Sequence, residues 1–126
     1  MPAALALTIE ERQVGEVTLL ELDGRLTLGE EADALGARLE RLLKAKRNRI
    51  VLRLAKLTRL DSVGIGTMLG ALKTARAGGG DVRILQPSKQ AGDVLDLLGL
   101  KARPDILRVF QDENEALASF ESPAPR

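Results

Sequence analysis

Apolar and polar residues near the start of the chain alternate with the period of a strand. Residues 5–12 alternate weakly and predict an edge strand, whereas residues 17–22 alternate more strongly and predict a second strand. Asp23 and Gly24 follow, and this dipeptide is typical of a turn. The chain is therefore predicted to open with two strands, the second of which ends near residue 22.

The pattern then changes to the period of a helix. The first long helix is predicted to begin near Thr27, because Thr27 and Glu30 have the spacing of a capping box. In that motif each side chain accepts a hydrogen bond from a backbone N–H group at the helix start. The apolar positions that recur at helical spacing are Ala32, Leu35, Leu39, Leu42 and Leu43. They form an apolar stripe that must pack against a sheet.

Strands and helices alternate along the remainder of the chain. A strand over 50–54 is followed by a helix over 62–77, which glycines 78–80 end. A strand over 82–85 then leads into a helix that Ser88 caps and Gly99 stops. The last predicted elements are a strand over 106–110 and a short helix that begins at the Asp112/Glu115 capping box and reaches about Phe120.

This order of elements predicts the fold class. Strands that alternate with helices of about ten or more residues imply right-handed crossovers and a layered α/β domain. We expect a single domain over residues 1–121, with a mixed, mostly parallel central sheet of about four to five strands and about four helices. Residues 122–126, with the sequence Ser-Pro-Ala-Pro-Arg, are predicted to form a disordered tail.

Composition narrows the chemistry that the chain can perform. Cysteine and histidine are both absent, which excludes thiol nucleophiles, Ser-His-Asp triads and zinc sites built on these side chains. The aromatic residues are Phe110 and Phe120, too few for a base-stacking platform. No apolar run reaches membrane-spanning length, and no basic residue precedes the apolar N-terminus as in a signal peptide. We therefore expect a soluble, cytoplasmic protein that is not an enzyme and carries no cofactor or metal.

Basic residues cluster in one part of the sequence. The stretch over 41–59 contains no acidic residue and includes Arg41, Lys44, Lys46, Arg47, Arg49, Arg53, Lys56 and Arg59. Such a run could bind acidic partners or nucleic acid, but it is more often a solvated helix end and strand flank. Because the net charge is only +1 and aromatic residues are scarce, we expect no direct nucleic-acid binding and no membrane insertion.

The segment over 57–66 carries the strongest functional signal. It lies between a central strand and a long helix, where the first backbone N–H groups of the helix are unpaired and attract phosphate. Ser62 would lie at or next to the helix cap, exposed to solvent. The structural alternative is an Asp/Ser cap followed by glycines that pack closely on the sheet. The segment has neither the lysine of a P-loop nor the Gly-x-Ser-x-Gly spacing of a nucleophile elbow.

Asp61-Ser62-Val63-Gly64-Ile65-Gly66 resembles the Asp-Ser-Ser/Thr-Gly-Leu-Gly signature of STAS-domain anti-sigma factor antagonists. The resemblance extends from about Leu7 to Phe120. It includes the Leu-Asp-Gly-Arg-Leu segment over 22–26, the strand over 50–54, the glycine break at 79–80 and the Leu-Gly-Leu that ends the third helix. The sequence departs from the signature at Val63, where a second hydroxyl residue is usual. That departure bears on recognition by a kinase.

The resemblance implies a function for the signature serine. In that family an anti-sigma factor that is itself a serine kinase phosphorylates this serine, which is Ser62 here. The unphosphorylated antagonist binds the anti-sigma factor and frees the sigma factor, the phosphorylated form lets go, and a serine phosphatase resets the cycle. From the signature together with the small-residue face of the helix that follows it, we expect partner binding at Asp61, Ser62, Val63, Gly64, Gly66, Thr67 and Gly70.

Alternatives remain open for both the surface and the function. The helix after Ser62 has a face of small residues, formed by Gly66, Thr67, Gly70, Ala71 and Thr74. This face either docks a partner or lets the helix approach a strand closely. The domain could also be a STAS-type subunit of a lipid-transport ATPase complex or of a signalling scaffold. From another class, it could be a small nucleotide-binding protein or hydrolase.

Overall fold

Five strands form a single sheet in chain order within residues 5–121, the part of the chain that the computed structural model describes. The strands are β1 (Leu7–Val14), β2 (Val17–Leu26), β3 (Arg49–Leu60), β4 (Asp81–Leu85) and β5 (Val109–Phe110). The helices are α1 (Glu30–Lys44), α2 (Ser62–Ala77), α3 (Lys89–Leu97) and α4 (Glu113–Ala118), and a short 3₁₀ turn spans Leu100–Ala102. β1 is antiparallel to β2, and the other neighbouring strands are parallel. This is the mixed, mostly parallel sheet that the sequence predicts.

The sheet buries apolar side chains on both faces. On one face, residues of β2, β3 and β4 form the larger core with α1, α2 and α3. Its fully buried members include Leu20, Leu35, Leu52, Met68 and Leu95. Burying each such side chain contributes about 1.5–3 kcal/mol relative to leaving it in water, so this face holds the long helices in place.

A smaller core covers part of the opposite face. Val17, Leu19, Val51 and Leu85 pack there against α4 and the chain that follows it. Phe120 closes this core, and the guanidinium of Arg83 lies 4.0 Å from the centre of its ring. Along β2, Val17 and Leu19 point to this face of the sheet and Leu20 and Leu22 point to the other face, in agreement with the period-two pattern.

The predicted turn at Asp23 and Gly24 is wrong, because β2 continues without interruption to Leu26. Gly24 pairs with Leu7 on one side and with Leu57 on the other, so pairing with both neighbouring strands outweighs the turn preference of this dipeptide. Gly24 has φ +114, and a Cβ at this position would meet the carbonyl group of Ala6. Glycine therefore lets the strand bend while it remains paired.

The predicted capping box at Thr27 and Glu30 is also wrong. Helix α1 begins at Glu30 after Gly29, whose φ is +114, and no side chain caps it. Instead, the backbone carbonyls of Thr27 and Gly29 accept hydrogen bonds from Ala32 and Asp33. Acidic residues in the first turn of α1 supply the negative charge that the helix dipole favours.

Besides the extension of β2, β1 spans Leu7–Val14 rather than 5–12, and β3 and the last strand differ more strongly from the prediction. β3 is longer than 50–54, since its carboxyl half stays paired with β2 through two irregularities of register. The last strand is restricted to Val109–Phe110 rather than 106–110. Ile106 instead belongs to a turn, where its N–H donates to the carbonyl of Arg103 and its own carbonyl accepts from Arg76.

The remaining helices begin as predicted, but α4 ends at Ala118 rather than near Phe120, and within residues 5–121 the Glu115 side chain does not complete the predicted capping box. The side chains of Asp61, Ser88 and Asp112 each accept a hydrogen bond from a backbone N–H group at the start of α2, α3 and α4. Gly99 adopts the left-handed conformation after α3, with φ +74. The tail predicted for residues 122–126 lies outside the described residues.

A candidate docking site at the start of helix α2

The candidate site lies where the parallel strands β2 and β3 end. The carboxyl ends of parallel strands meet at one edge of a sheet, and ligand sites of α/β domains gather there. Residues 27–29 connect β2 to α1 at this edge, and Asp61 connects β3 directly to α2. The signature segment is therefore brought beside a loop that is distant in the sequence.

Asp61 holds these two connections together. One carboxylate oxygen, Oδ1, accepts a hydrogen bond from the backbone N–H of Gly64 at 2.9 Å. The other, Oδ2, accepts one from the backbone N–H of Leu28 at 2.9 Å. Burial alone would raise the pKa of Asp61, but the N–H groups of Gly64, Leu28 and Val63 favour the ionised form and hold it below its ordinary value. Asp61 is thus ionised at neutral pH, and its carboxylate links the loop of Leu28 to the start of α2.

Ser62 is the first residue of α2 and is exposed to solvent. Within residues 5–121 its hydroxyl group has no hydrogen-bond partner, because Asp61 caps the helix in its place. Of the two positions that the sequence allows, at the cap or next to it, the structure shows the second. The Ser62 hydroxyl is therefore free to be modified without loss of a structural contact.

Two exposed apolar side chains lie close to Ser62 along the two connections. Val63 follows it directly and is 38% exposed, and Leu28 is 73% exposed on the loop that Asp61 holds. Contiguous exposed apolar area marks protein-binding surfaces, and these two side chains would contribute to such a patch. The sequence pattern gives no functional role to Leu28. The sequence feature that could have pointed to Leu28 is that it is an apolar residue in a short Thr-Leu-Gly loop and fits neither the strand period before the loop nor the helix period after it.

The glycines of the signature have different roles. A Cβ at Gly64 would lie 2.7 Å from the carbonyl oxygen of Leu26 and 3.0 Å from Cδ1 of Leu60, so this residue packs closely on the strand ends. A Cβ at Gly66 or Gly70 would meet nothing within 4 Å. The close-packing interpretation therefore holds for Gly64 and is wrong for Gly66 and Gly70.

Gly66 and Gly70 instead border an open groove of about 410 Å³ between α1 and α2. The other residues that line it are Gly36, Leu39, Glu40, Leu43, Lys44, Thr67, Ala71 and Thr74. Because several of these residues have small side chains or none, the space between α1 and α2 stays open. The face of small residues predicted on α2 thus forms one wall of the groove, although Ala71 itself is buried.

Most charges of the basic run over 41–59 are balanced within the fold. Glu11 pairs with Arg41 at 3.2 Å, and Glu21 pairs with Arg53 at 3.3 Å and with Lys56 at 2.8 Å. The hydrogen bond from Lys56 is the main reason that the pKa of Glu21 is lowered. These contacts favour the solvated-flank interpretation of the run.

Two further properties concern the part of the chain described here. None of its helices is both long enough and apolar enough to cross a membrane. Between residues 5 and 121, no three acidic side chains come together in a way that could hold a metal ion.

Comparison with known proteins identifies the family. The sequence profile of the STAS domain matches residues 8–116. The chain belongs to the STAS domain family. No curated protein matches the sequence.

Solved structures share the fold of this STAS domain. An anti-sigma factor antagonist from Mycobacterium paratuberculosis has a TM-score of 0.79 at 16% identity, with 92% of this chain and 95% of that one covered. The unphosphorylated anti-sigma factor antagonist SpoIIAA has a TM-score of 0.76 at 20% identity, covering 94% and 100%. The phosphorylated form of SpoIIAA from Bacillus has a TM-score of 0.68 at 22% identity, covering 89% and 98%.

The predicted site residues divide into two groups in this STAS domain. Ser62, Val63, Gly66 and Gly70 are exposed, and Thr67 is partly exposed beside the groove. Asp61 and Gly64 face inward: the first holds the loop of Leu28, and the second packs on Leu26. The first group can touch a partner, whereas the second group shapes the surface.

Proposed function

We propose that this STAS domain is a phosphorylation-regulated anti-sigma factor antagonist. When Ser62 is unphosphorylated, it binds an anti-sigma factor that is also a serine kinase, and the sigma factor is released. Phosphorylation of Ser62 ends that binding, and a serine phosphatase restores it. The observation that carries the proposal is the exposed Ser62 hydroxyl, which has no partner in the described chain because Asp61 performs the capping.

The solved relatives support this proposal at the level of the fold. SpoIIAA is described as an anti-sigma factor antagonist and has been solved in both an unphosphorylated and a phosphorylated form. The domain described here has the same fold and a serine at the start of α2, in the signature that resembles that family. In this proposal the protein is a binding module rather than an enzyme, needs no cofactor and acts in the bacterial cytoplasm.

The charge of a phosphate explains how such a switch would work. Phosphorylation adds about −1.5 to −2 charge at neutral pH. Within the domain, the N-terminus of α2 favours negative charge, so the fold is expected to stay unchanged. At an interface the same charge must lose its water, and an unpaired buried charge costs about 2–5 kcal/mol. Since about 1.4 kcal/mol is a factor of ten in affinity, this cost is large enough to end binding.

The proposed docking surface is formed by Ser62, Val63, Gly66, Thr67 and Gly70, and Asp61 and Gly64 shape it from beneath. Val63 supplies exposed apolar area next to the switch, and Gly66 and Gly70 leave the neighbouring groove open to a partner. To the residues assigned from sequence we add Leu28, whose loop Asp61 fixes beside them. The surface thus places exposed apolar area around the unpaired Ser62 hydroxyl, whereas the Thr67 hydroxyl donates to the carbonyl of Val63, so a phosphate on Ser62 would disturb it strongly.

Affinity capture from the lysate of the native organism tests this function. Wild-type protein, Ser62→Asp and Ser88→Asp serve as parallel baits. Ser88 is the matched control, because it is also a serine at a helix start but its side chain caps α3. We expect an ATP-binding serine kinase or anti-sigma factor on wild type and on Ser88→Asp, and its loss on Ser62→Asp. Equal capture of a transporter ATPase by all baits would identify a structural subunit instead.

A further inference from the structure

Cross-strand charge pairs follow a regular order along β2 and β3, on the sheet face opposite the long helices. Counted from the smaller core, Leu19 lies beside Val51, Glu21 beside Arg53, Asp23 beside Lys56, and Arg25 beside Arg59. One apolar pair is thus followed by two pairs of opposite charge. The last pair, formed by Arg25 and Arg59, combines two charges of the same sign.

The two opposite-charge pairs are compensated within the described chain. Glu21 forms ion pairs with Arg53 and Lys56. The pKa of Lys56 is raised mainly by its hydrogen bond to Glu21, and the negative charge of Asp23 raises it further. Arg25 and Arg59 differ in this respect. Between residues 5 and 121, neither guanidinium makes an ion pair or a side-chain hydrogen bond, and both residues are exposed.

Neighbouring strands cannot supply the missing negative charge. The edge strand brings the backbone of Ala6 beside Arg25, where the carbonyl of Ala6 accepts its N–H. On the other side, the pairing of β3 with β4 ends at Arg53, well before Arg59. Like charges placed opposite each other on adjacent strands are destabilising. The register therefore places two like charges opposite each other at this end of the sheet.

This pair lies close to the docking surface in the chain. Arg25 precedes Leu28 by a few residues on one connection, and Arg59 precedes Ser62 on the other. We propose that Arg25 and Arg59 form a docking point for an acidic segment of the protein partner that binds around Ser62. A pair of guanidinium groups matches carboxylates in geometry as well as charge. Because both side chains are exposed, their attraction for a small ion is screened, whereas a protein also engages Leu28 and Val63.

The inference rests on the proposed function for the identity of the partner, but the arginine pair can be tested without it. The probe is a hexaglutamate peptide, added to the full-length protein while backbone amide and arginine Nε resonances are followed by NMR. Hexaglutamine and a short single-stranded DNA oligonucleotide are parallel probes. The variants are Arg25→Glu, Arg59→Glu and Arg47→Glu, the last being a matched charge reversal of an exposed arginine just before the opposite end of β3.

We expect hexaglutamate to shift the resonances of Arg25 and Arg59 more than those of Arg47, and hexaglutamine to shift none of them. Reversal of Arg25 or Arg59 should weaken the peptide about five- to tenfold, whereas Arg47→Glu should change it less than twofold. Shifts spread evenly over the arginines, the absence of shifts, or equal affinities of all variants would overturn the proposal. A response of the pair to the oligonucleotide but not to the peptide would overturn it in favour of nucleic acid.

Thermal stability separates a binding role from a structural one. Arg25→Glu places a carboxylate opposite Arg59 and turns the last pair into an opposite-charge pair like its neighbours. We expect its melting temperature to rise by about 1–4 °C while the affinity for the peptide falls. If Arg25→Glu melted no higher than wild type, the pair would carry no unfavourable charge and the proposal would be wrong.

Discussion

The carboxylate of Asp61 accepts a hydrogen bond from the backbone N–H of Leu28, a residue 33 positions earlier in the chain. The same carboxylate caps α2 through Gly64. An aspartate in this position therefore does more than begin a helix, since it fixes an exposed leucine beside the exposed serine that follows it. Ser62 can be phosphorylated without loss of a structural contact because Asp61, and not Ser62, caps α2 at this edge of the sheet.

Loss of the Asp61 carboxylate is expected to cost more stability than loss of an ordinary helix cap. Asp61→Ala removes two hydrogen bonds to backbone N–H groups, whereas Asp112→Ala removes the single cap of α4. We expect a loss of about 1–2 kcal/mol in the free energy of unfolding for Asp61→Ala and about 1 kcal/mol or less for Asp112→Ala. Urea unfolding measures both. Equal losses would show that the bond to Leu28 contributes nothing.

The pKa of Asp61 predicts how this contribution depends on pH. Because the pKa is lower in the folded protein than in the unfolded chain, the stabilisation is present above the unfolded value and is lost as pH falls through the folded value. The difference in unfolding free energy between wild type and Asp61→Asn should be largest near neutral pH and shrink below about pH 4. Urea unfolding of both proteins between pH 7 and pH 3 tests this. A difference that grows on acidification contradicts it.

Alanine at Gly64 and at Gly66 should have opposite effects on folding. At Gly64 the new methyl group would meet Leu26 at 2.7 Å, so we expect a loss of about 1–3 kcal/mol. At Gly66 nothing lies within 4 Å, and alanine should stabilise α2 by about 0.4–1 kcal/mol. Thermal unfolding distinguishes the two substitutions. A destabilised Gly66→Ala would mean that this glycine is needed for packing and is not kept small for a partner.

A larger side chain at Gly66 tests the groove as part of the docking surface. Gly66→Leu adds volume to the open groove between α1 and α2, at a position where a Cβ meets nothing within 4 Å. We expect the variant to fold and to bind the captured anti-sigma factor at least about tenfold more weakly, because a blocked contact region typically costs more than 1.4 kcal/mol. Calorimetric titration measures the affinity. Unchanged affinity in the folded variant would remove the groove from the proposed interface.

The sequence predicts the architecture because each long element has a clear period. The leucines of α1 and the glycines after α2 each indicate one answer, and the structure agrees. The errors occur where tertiary contacts decide. The turn preference of Gly24 yields to pairing with two strands, and Thr27 does not cap α1 because backbone carbonyls satisfy the first turn.

The candidate site was predictable in part for the same reasons. A short motif places Asp61 and Ser62 at the start of a helix, and local geometry then determines which of them is the cap. No local pattern shows that Leu28 lies beside them, because that neighbourhood arises from the meeting of two strand ends. The isolation of Arg25 and Arg59 likewise depends on the register between β2 and β3, which period alone does not fix.

The most direct test of the account is phosphorylation of Ser62 in the presence of the partner. The purified complex with the captured anti-sigma factor is incubated with ATP and Mg²⁺, the phosphorylated residue is located by mass spectrometry, and the complex is followed by size-exclusion chromatography. Ser62→Ala is the control. We predict one phosphate on Ser62, dissociation of the complex with an unchanged circular dichroism spectrum, and a stable, unphosphorylated Ser62→Ala complex. A complex that survives full phosphorylation of Ser62, or phosphate on another residue, would contradict the account.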